Sequence, residues 1–241
     1  MSGHSKWATT KRQKAVVDAK KGAAFTRVSN LITIAAREKG GDIAVNFMLR
    51  MAVEKARAAN MPKDNIERAI KRGTGELGGA AIEELVYEGF GPAKTQFIIK
   101  SLTDNKNRSA SNIRHLFTKY GGSLGSVAWN FSEQGVIRIV KSEVRSKKLE
   151  DDNFELSLID AGAEDIEKEE EGMTIYTAPA DLQKVKQILD GKNIATETAA
   201  IEYVAKDKAA VGEAERETLG KFIEELEESE DVSDYYTNAN L

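Results

Sequence analysis

MTIYTAPADLQKVKQILDGKNIATETAAIEYVA, residues 173–205, reads as strand, helix, strand. Upstream lie a strand at GVIRIVK (135–141), a helix around FELSLIDAG (154–162) and a strand at AEDIEKEE (163–170). Taken in chain order these elements run β-α-β-β-α-β, the ferredoxin-like succession. On the N-terminal side, IEELVYEGF (82–90), TQFIIKSLT (95–103) and SVAWNF (126–131) read as strands, with a helix at NIRHLFTKYG (112–121). On the C-terminal side stand an acidic helix, EAERETLGKFIEELEE (213–228), and a short segment, DVSDYY (231–236). That helix needs a sheet to lie on, and the unfinished set at 80–131 offers one. The economical arrangement is two α+β units, one inserted in the other.

The first 72 residues have a different period. From Gln13 to Lys39 the apolar residues Phe25, Val28, Leu31, Ile32 and Ala35 recur at three- and four-residue steps, which marks a helical stripe. A second helix is expected over Ile43–Ala59. A third begins in NMPKDNIERAIKRG (60–73), with Pro62 suited to a first turn, Ile66 and Ile70 inward and Gly73 as a cap. A core this modest is expected to dock on the rest of the chain. The expected fold class is therefore α+β, with an N-terminal helical domain followed by two ferredoxin-like α+β domains, one inserted in the other. The expected division is 1–79, then 80–133 with 205–241, with 134–204 inserted.

The composition excludes several classes of function. With 241 residues, 41% hydrophobic and 31% charged, the chain is that of a charged globular protein with room for a real core. No apolar run approaches the ~20 residues that span a bilayer, and the opening lacks the apolar stretch of a secretory signal, so no membrane partner is expected. With no cysteine there is no disulfide or thiolate metal site, which fits a reducing cytoplasm. The two histidines, His4 and His115, lie far apart, and neither stands in a nucleophile context. GTGELGG (73–79) satisfies G-x-G-x-x-G, but it follows a helix and precedes a strand, so it reads as a linker. The acidic runs lack the spacing of a calcium loop. No catalytic constellation, cofactor, metal or small-molecule substrate is expected.

Charge is what remains. The net charge of −4 conceals a division: residues 1–72 hold 16 Lys+Arg against 6 Asp+Glu, a balance of +10, and the remainder carries −14. Such asymmetry points to nucleic-acid contact by the basic part, or to a basic surface that complements the acidic one. SGHSKWATTKRQK (2–14) sets Lys6, Lys11, Arg12 and Lys14 around one indole, Trp7. The cations suit a phosphate backbone, and Trp7 suits either stacking on a base or packing on the helical domain. Lys21 and Arg27 on the first helix, with Lys63, Arg68, Lys71 and Arg72 on the third, extend the same surface. In LTDNKNRSASNIR (102–114), Lys106 and Arg108 place positive charge at a helix start, against the macrodipole. Ordinary capping explains the Asn, Asp and Ser residues there. An anionic partner would relieve the conflict, which makes the pair a second candidate patch.

GHSKWA, NMPKDNIERAIKRG, YEGFGP, TDNKNRS and FTKYGGSLG, in this order and spacing, closely resemble the YebC/PmpR family, which includes the mitochondrial translational activator of cytochrome oxidase. The resemblance covers essentially the whole chain. It implies a helical N-terminal domain with two α+β domains, one inserted in the other, and no enzymatic activity. It also implies DNA-binding transcriptional regulation or action in translation on the ribosome at proline-rich stretches, with DNA or ribosomal RNA as partner. Ile43 and Phe47 stand where the family often has prolines, and the loop between Gly125 and Ser126 is shorter than usual. No helix-turn-helix, zinc-finger or RNA-recognition aromatic motif is present.

Overall fold

The computed structural model describes residues 21–78, 81–147, 149 and 151–240. They form two compact units. One is Asn130–Lys206; the other is built from the chain on either side, up to Trp129 and from Asp207 onward.

The second unit begins with three helices, α1 (Lys21–Lys39), α2 (Phe47–Ala58) and α3 (Lys63–Gly73). Val28, Ile32, Ala35 and Ala36 of α1 pack with Leu49, Val53 and Ala56 of α2 and with Ile66 and Ala69 of α3. The second helix starts later than its composition suggests. Asn46 is its N-cap, accepting the Leu49 N–H at 3.0 Å, while its own amide donates to the carbonyls of Ala35 and Gly40 at 2.8 Å each. Residues 43–45 are thereby held in a turn that leads into the cap.

Gly73 corrects an expectation. It is the last residue of α3 rather than a cap outside it. A Cβ there would lie 2.4 Å from the Thr33 carbonyl oxygen and 2.7 Å from the Ala36 Cβ, so the glycine lets α3 lie directly on α1. The left-handed residue of this turn is Gly75, at φ +84°, with open space around it. Gly73→Ala is expected to cost roughly 2 kcal/mol, because two backbones must separate. Gly75→Ala should cost about 1 kcal/mol, from conformation alone. Urea denaturation of the two variants checks the order.

After this turn come β1 (Glu83–Phe90), β2 (Gln96–Thr103), α4 (Lys106–Lys119) and β3 (Ser123–Leu124). The first unit then supplies β4 (Phe131–Val140), α5 (Lys141–Lys147), α6 (Asp152–Asp160), β5 (Ala163–Lys168), β6 (Gly172–Thr177), α7 (Leu182–Gly191) and β7 (Thr198–Ala205). The chain returns with β8 (Ala209–Ala210), α8 (Glu213–Glu228), β9 (Asp234–Thr237) and β10 (Ala239–Asn240).

The sheet of unit Asn130–Lys206 has the order β5-β6-β4-β7, antiparallel throughout, which is the ferredoxin-like arrangement. Its core includes Ile137, Ile139, Leu158, Met173, Ile175, Val185 and Leu189. The other sheet has the order β3-β1-β2-β9. It has four antiparallel strands and two helices too, in a different chain order. Phe97, Phe117 and Phe222 meet edge-on at its centre, with centroids 5.0–6.3 Å apart. Val211, Leu219, Leu226 and Val232 complete this core, so the acidic helix does lie on the sheet begun at residue 83. The helical domain docks on the same unit. Leu31 and Ile34 pack with Ile82 and Leu102, and Arg37 donates to the Ile82 carbonyl at 2.5 Å.

One strand expectation fails. SVAWNF is not extended: Ala128–Asn130 is a turn of 3-10 helix. The cause is Glu88 on β1, whose carboxylate accepts the N–H groups of Val127 and Ala128 at 2.7 Å each. Charge-assisted bonds of this length outweigh local strand propensity.

Candidate nucleic-acid interface

The sites read from the sequence fall into three groups. Lys6, Trp7, Lys11, Arg12 and Lys14 lie outside the described residues, as does the Lys21 side chain at the start of α1.

A second group is paired with the protein's own carbonyls and carboxylates. Arg27 reaches from α1 to the C-terminal end of α8, donating to the carbonyls of Glu227 and, at 3.0 Å, Ser229. Burial lowers its pKa, against the opposing pull of Asp234, Glu227 and Glu230. It caps a helix whose last carbonyls need a cation. Lys106 pairs with Glu83 at 2.7 Å. Arg108 pairs with Asp231 at 3.2 Å and with Asp104 at 3.3 Å. The Asp231 hydrogen bond is the main cause of its raised pKa. Asp231 is itself nearly buried and also accepts the Asn112 amide at 2.7 Å. Internal carboxylates thus face the cations at the start of α4, and the side chains of both Lys106 and Arg108 stay more than half exposed. The N-cap is Asn105, which accepts the Arg108 N–H at 3.0 Å. Ser109, a capping candidate in the sequence, is buried against Ser101 at 2.8 Å.

The third group is on α3. With Ile66 and Ala69 buried, Lys63, Arg68 and Lys71 are turned to solvent and Arg72 is half-exposed. Lys63 lies 3.5 Å from Glu67, one turn along, an exposed pair worth only a few tenths of a kcal/mol. Nearby in sequence, Lys39 and Arg57 are also exposed. They carry the same basic signal but sit outside any motif, so composition alone could have found them.

Elsewhere in this unit, the motifs YEGFGP and FTKYGGSLG meet around a cavity of about 420 Å3. Phe90, Gly91, Pro92, Tyr120, Gly121 and Gly122 are among the residues that line it. No helix is long and apolar enough to cross a membrane, and no group of three or more His, Cys, Asp or Glu could hold a metal ion, among the described residues.

The helical domain and the sheets that follow match two family models. Residues 5–76 match the TACO1/YebC protein N-terminal domain, and residues 82–239 match the TACO1/YebC second and third domain. The chain belongs to the TACO1/YebC family. Its relatives in this family include a protein of Thermotoga maritima, 48% identical over 100% of this chain and 94% of that one. Another, from Thermoanaerobacter pseudethanolicus, is 44% identical over 100% and 98% of the two chains. Both are named "probable transcriptional regulatory protein". The crystal structure of a conserved hypothetical protein from Aquifex aeolicus shares the fold, with a TM-score of 0.82 and 37% identity. That match covers 94% of this chain and 93% of the other.

Proposed function

We propose that this TACO1/YebC family member is a non-enzymatic, nucleic-acid-binding regulator of gene expression whose helical domain contacts the phosphate backbone. The observation that carries the reading is α3, which buries its apolar side on α1 and turns Lys63, Arg68 and Lys71 to solvent. Residues 21–78 hold 11 Lys+Arg against 6 Asp+Glu in a chain that is acidic as a whole. The basic stretch from Lys6 to Lys14 adds to the same segment. The relatives' name supports a role in regulating transcription.

One feature speaks against sequence-specific reading of duplex DNA and leaves room for a translational role on ribosomal RNA. Sequence-specific reading of duplex DNA needs bidentate partners against base edges, each worth roughly 1–3 kcal/mol. The exposed residues of α3 are Lys63, Asp64, Glu67, Arg68 and Lys71, with no Asn or Gln among them. Such a face suits backbone contact with little base preference, on DNA or on ribosomal RNA.

Salt titration tests the phosphate reading. Replacing Lys11, Arg12 and Lys14 by Ala should flatten the log–log salt dependence of duplex binding by about 2 to 3 units, and Arg68→Ala with Lys71→Ala by about 1 to 2. An unchanged slope would make both sets ordinary solvated surface. Preference for any one duplex over random sequence should stay below about tenfold, far short of the ~10³-fold typical of dedicated regulators. Cosedimentation with ribosomes at moderate salt is the expected companion result. A salt-resistant footprint on one promoter, without ribosome association, would instead establish the transcriptional role.

A further inference from the structure

The cavity of about 420 Å3 is lined by the β1–β2 turn, the end of α4 and the start of α8. Its volume is that of a small-molecule site, within the usual range of about 300 to 1,000 Å3. Its walls depend on glycine. A Cβ on Gly122 would lie 2.3 Å from the Phe90 carbonyl oxygen, so the two glycine-rich motifs meet backbone to backbone. Gly121, at φ +74°, has open space where a side chain would stand.

The β1–β2 turn is strained. The Thr95 N–H donates to the Pro92 carbonyl at 3.1 Å, around Ala93 at φ 56° and Lys94 at φ 58°. Two left-handed residues in succession make a type I′ turn, a place that favours Asn, Asp and Gly; alanine and lysine are disfavoured there. Thr95, fully buried, holds it in place. Its hydroxyl donates to the same Pro92 carbonyl at 2.6 Å, and its own carbonyl accepts the Gly91 N–H at 2.7 Å. Strain fixed by its surroundings in this way collects at ligand clamps. Here it sets Lys94 in the cavity wall.

Charged groups on α4 and α8 pair with one another, Lys119 with Glu225 and Lys221 with Glu217. Four cavity residues do not. Among the described residues, the side chains of Lys94, Ser123, Glu215 and Thr218 have neither hydrogen bond nor ion pair, and all four are exposed. Phe90 and Tyr120 add two half-buried rings, the Tyr120 hydroxyl being fixed by Glu225 at 2.7 Å. A cation suits a phosphate, hydroxyls suit a ribose, aromatic surface suits a base, and a carboxylate suits the base's N–H groups. Guanine alone presents two adjacent N–H donors, N1 and N2, to a carboxylate. In a duplex both are taken up by pairing, so only an unpaired guanine can offer them.

We propose that this cavity binds one unpaired guanine nucleotide, with Lys94 on the phosphate and Glu215 on the base. The choice of a nucleotide rests on the nucleic-acid reading above. Free guanosine monophosphate and an unpaired guanosine in RNA present the same chemistry.

The test is titration of the full, isotope-labelled chain with guanosine, inosine and adenosine 5′-monophosphates and with ribose 5-phosphate, followed by NMR at the Gly121, Gly122 and Ser123 amides. Guanosine monophosphate should shift these amides and bind roughly tenfold tighter than the inosine compound, which lacks the N2 amino group. Glu215→Gln should erase that preference. Lys94→Gly removes the ammonium and the strain together, so it should raise the urea midpoint while weakening nucleotide binding about tenfold. A single-stranded RNA hexamer with one guanine separates the two sources: binding at least about tenfold tighter than the mononucleotide identifies RNA, and equal binding the free nucleotide. The salt slope of the Arg68, Lys71 variant does not involve the cavity, so the phosphate reading and this site fail independently. Shifts that ribose 5-phosphate reproduces in full, equal affinity for the three nucleotides, undiminished binding by Lys94→Gly, or no shift at all would overturn the guanine site.

Discussion

Replacing Arg138 by Met alone should destabilise unit Asn130–Lys206 by about 3 to 5 kcal/mol, a large share of a domain's ordinary stability. Arg138 on β4 and Glu202 on β7 meet fork to fork, with both nitrogen–oxygen distances at 2.9 Å. Their side chains are only 10% and 8% exposed. Burial by itself would lower the Arg138 pKa; the charge and hydrogen bonds of Glu202 outweigh it, and the net shift is upward. Removing the guanidinium takes its bidentate partner from a buried carboxylate. The double variant Arg138→Met, Glu202→Leu removes both charges and should return to within about 2 kcal/mol of the parent, or exceed it. Urea denaturation followed by circular dichroism separates the cases. Equal losses in the single and double variants would mean that packing, and not charge pairing, dominates this face.

The second large effect concerns the proposed division into modules. If residues 131–205 are self-sufficient, joining Asn130 to Lys206 through a short Gly/Ser linker should leave a cooperatively folding protein, and 131–205 expressed alone should also melt cooperatively. The Lys206–Asn130 hydrogen bond already holds those two residues together. Each side has its own buried set, Phe97, Phe117 and Phe222 in one and Ile137, Leu158 and Met173 in the other. Non-cooperative melting of both pieces would favour one continuous α+β body. The cut belongs at 131 rather than 134, because β4 begins at Phe131 and an excision at Glu133 would strand its first turns of ladder.

The long periodic segments were legible in the sequence, because burial on one face leaves a repeating mark. β2, β6 and α8 fall where their apolar spacing puts them, whereas α4 begins six residues and β4 four residues before the stretches expected at 112–121 and 135–141. Elements without such a mark were not legible. KSEVRSK forms α5 with Val144 as its one buried residue, and the parallel pair β8–β10 is two residues long. SVAWNF shows the opposite failure: a clear strand pattern overridden by a carboxylate from β1, 39 residues earlier in the chain at Val127. The cationic surface divides on the same principle. Composition reports the sign of a residue and not its partner. Nothing near Arg27 in sequence announces the carbonyl of Ser229, 202 positions away, nor does anything near Arg108 announce Asp231. The cations on α3 stayed at the surface because their own helix dictates it.

The placement of β9 on the outer edge of β2 governs the order in which the protein is born. Unit Asn130–Lys206 has all its strands once residue 205 has left the ribosome. The phenylalanine core of the other unit still lacks Leu219, Phe222, Leu226, Val232 and Tyr235 at that moment. Synthesis from the N-terminus therefore finishes the interior module first and leaves β1, β2 and α4 waiting, with the hydrophobic face of a half-built sheet uncovered. The β2 edge, with its row of open N–H and C=O groups, stays unpaired until Asp234–Thr237 arrives. A nascent chain stalled between residues 206 and 234 would hold one finished module and one adhesive sheet, the state most open to chaperones and to aggregation.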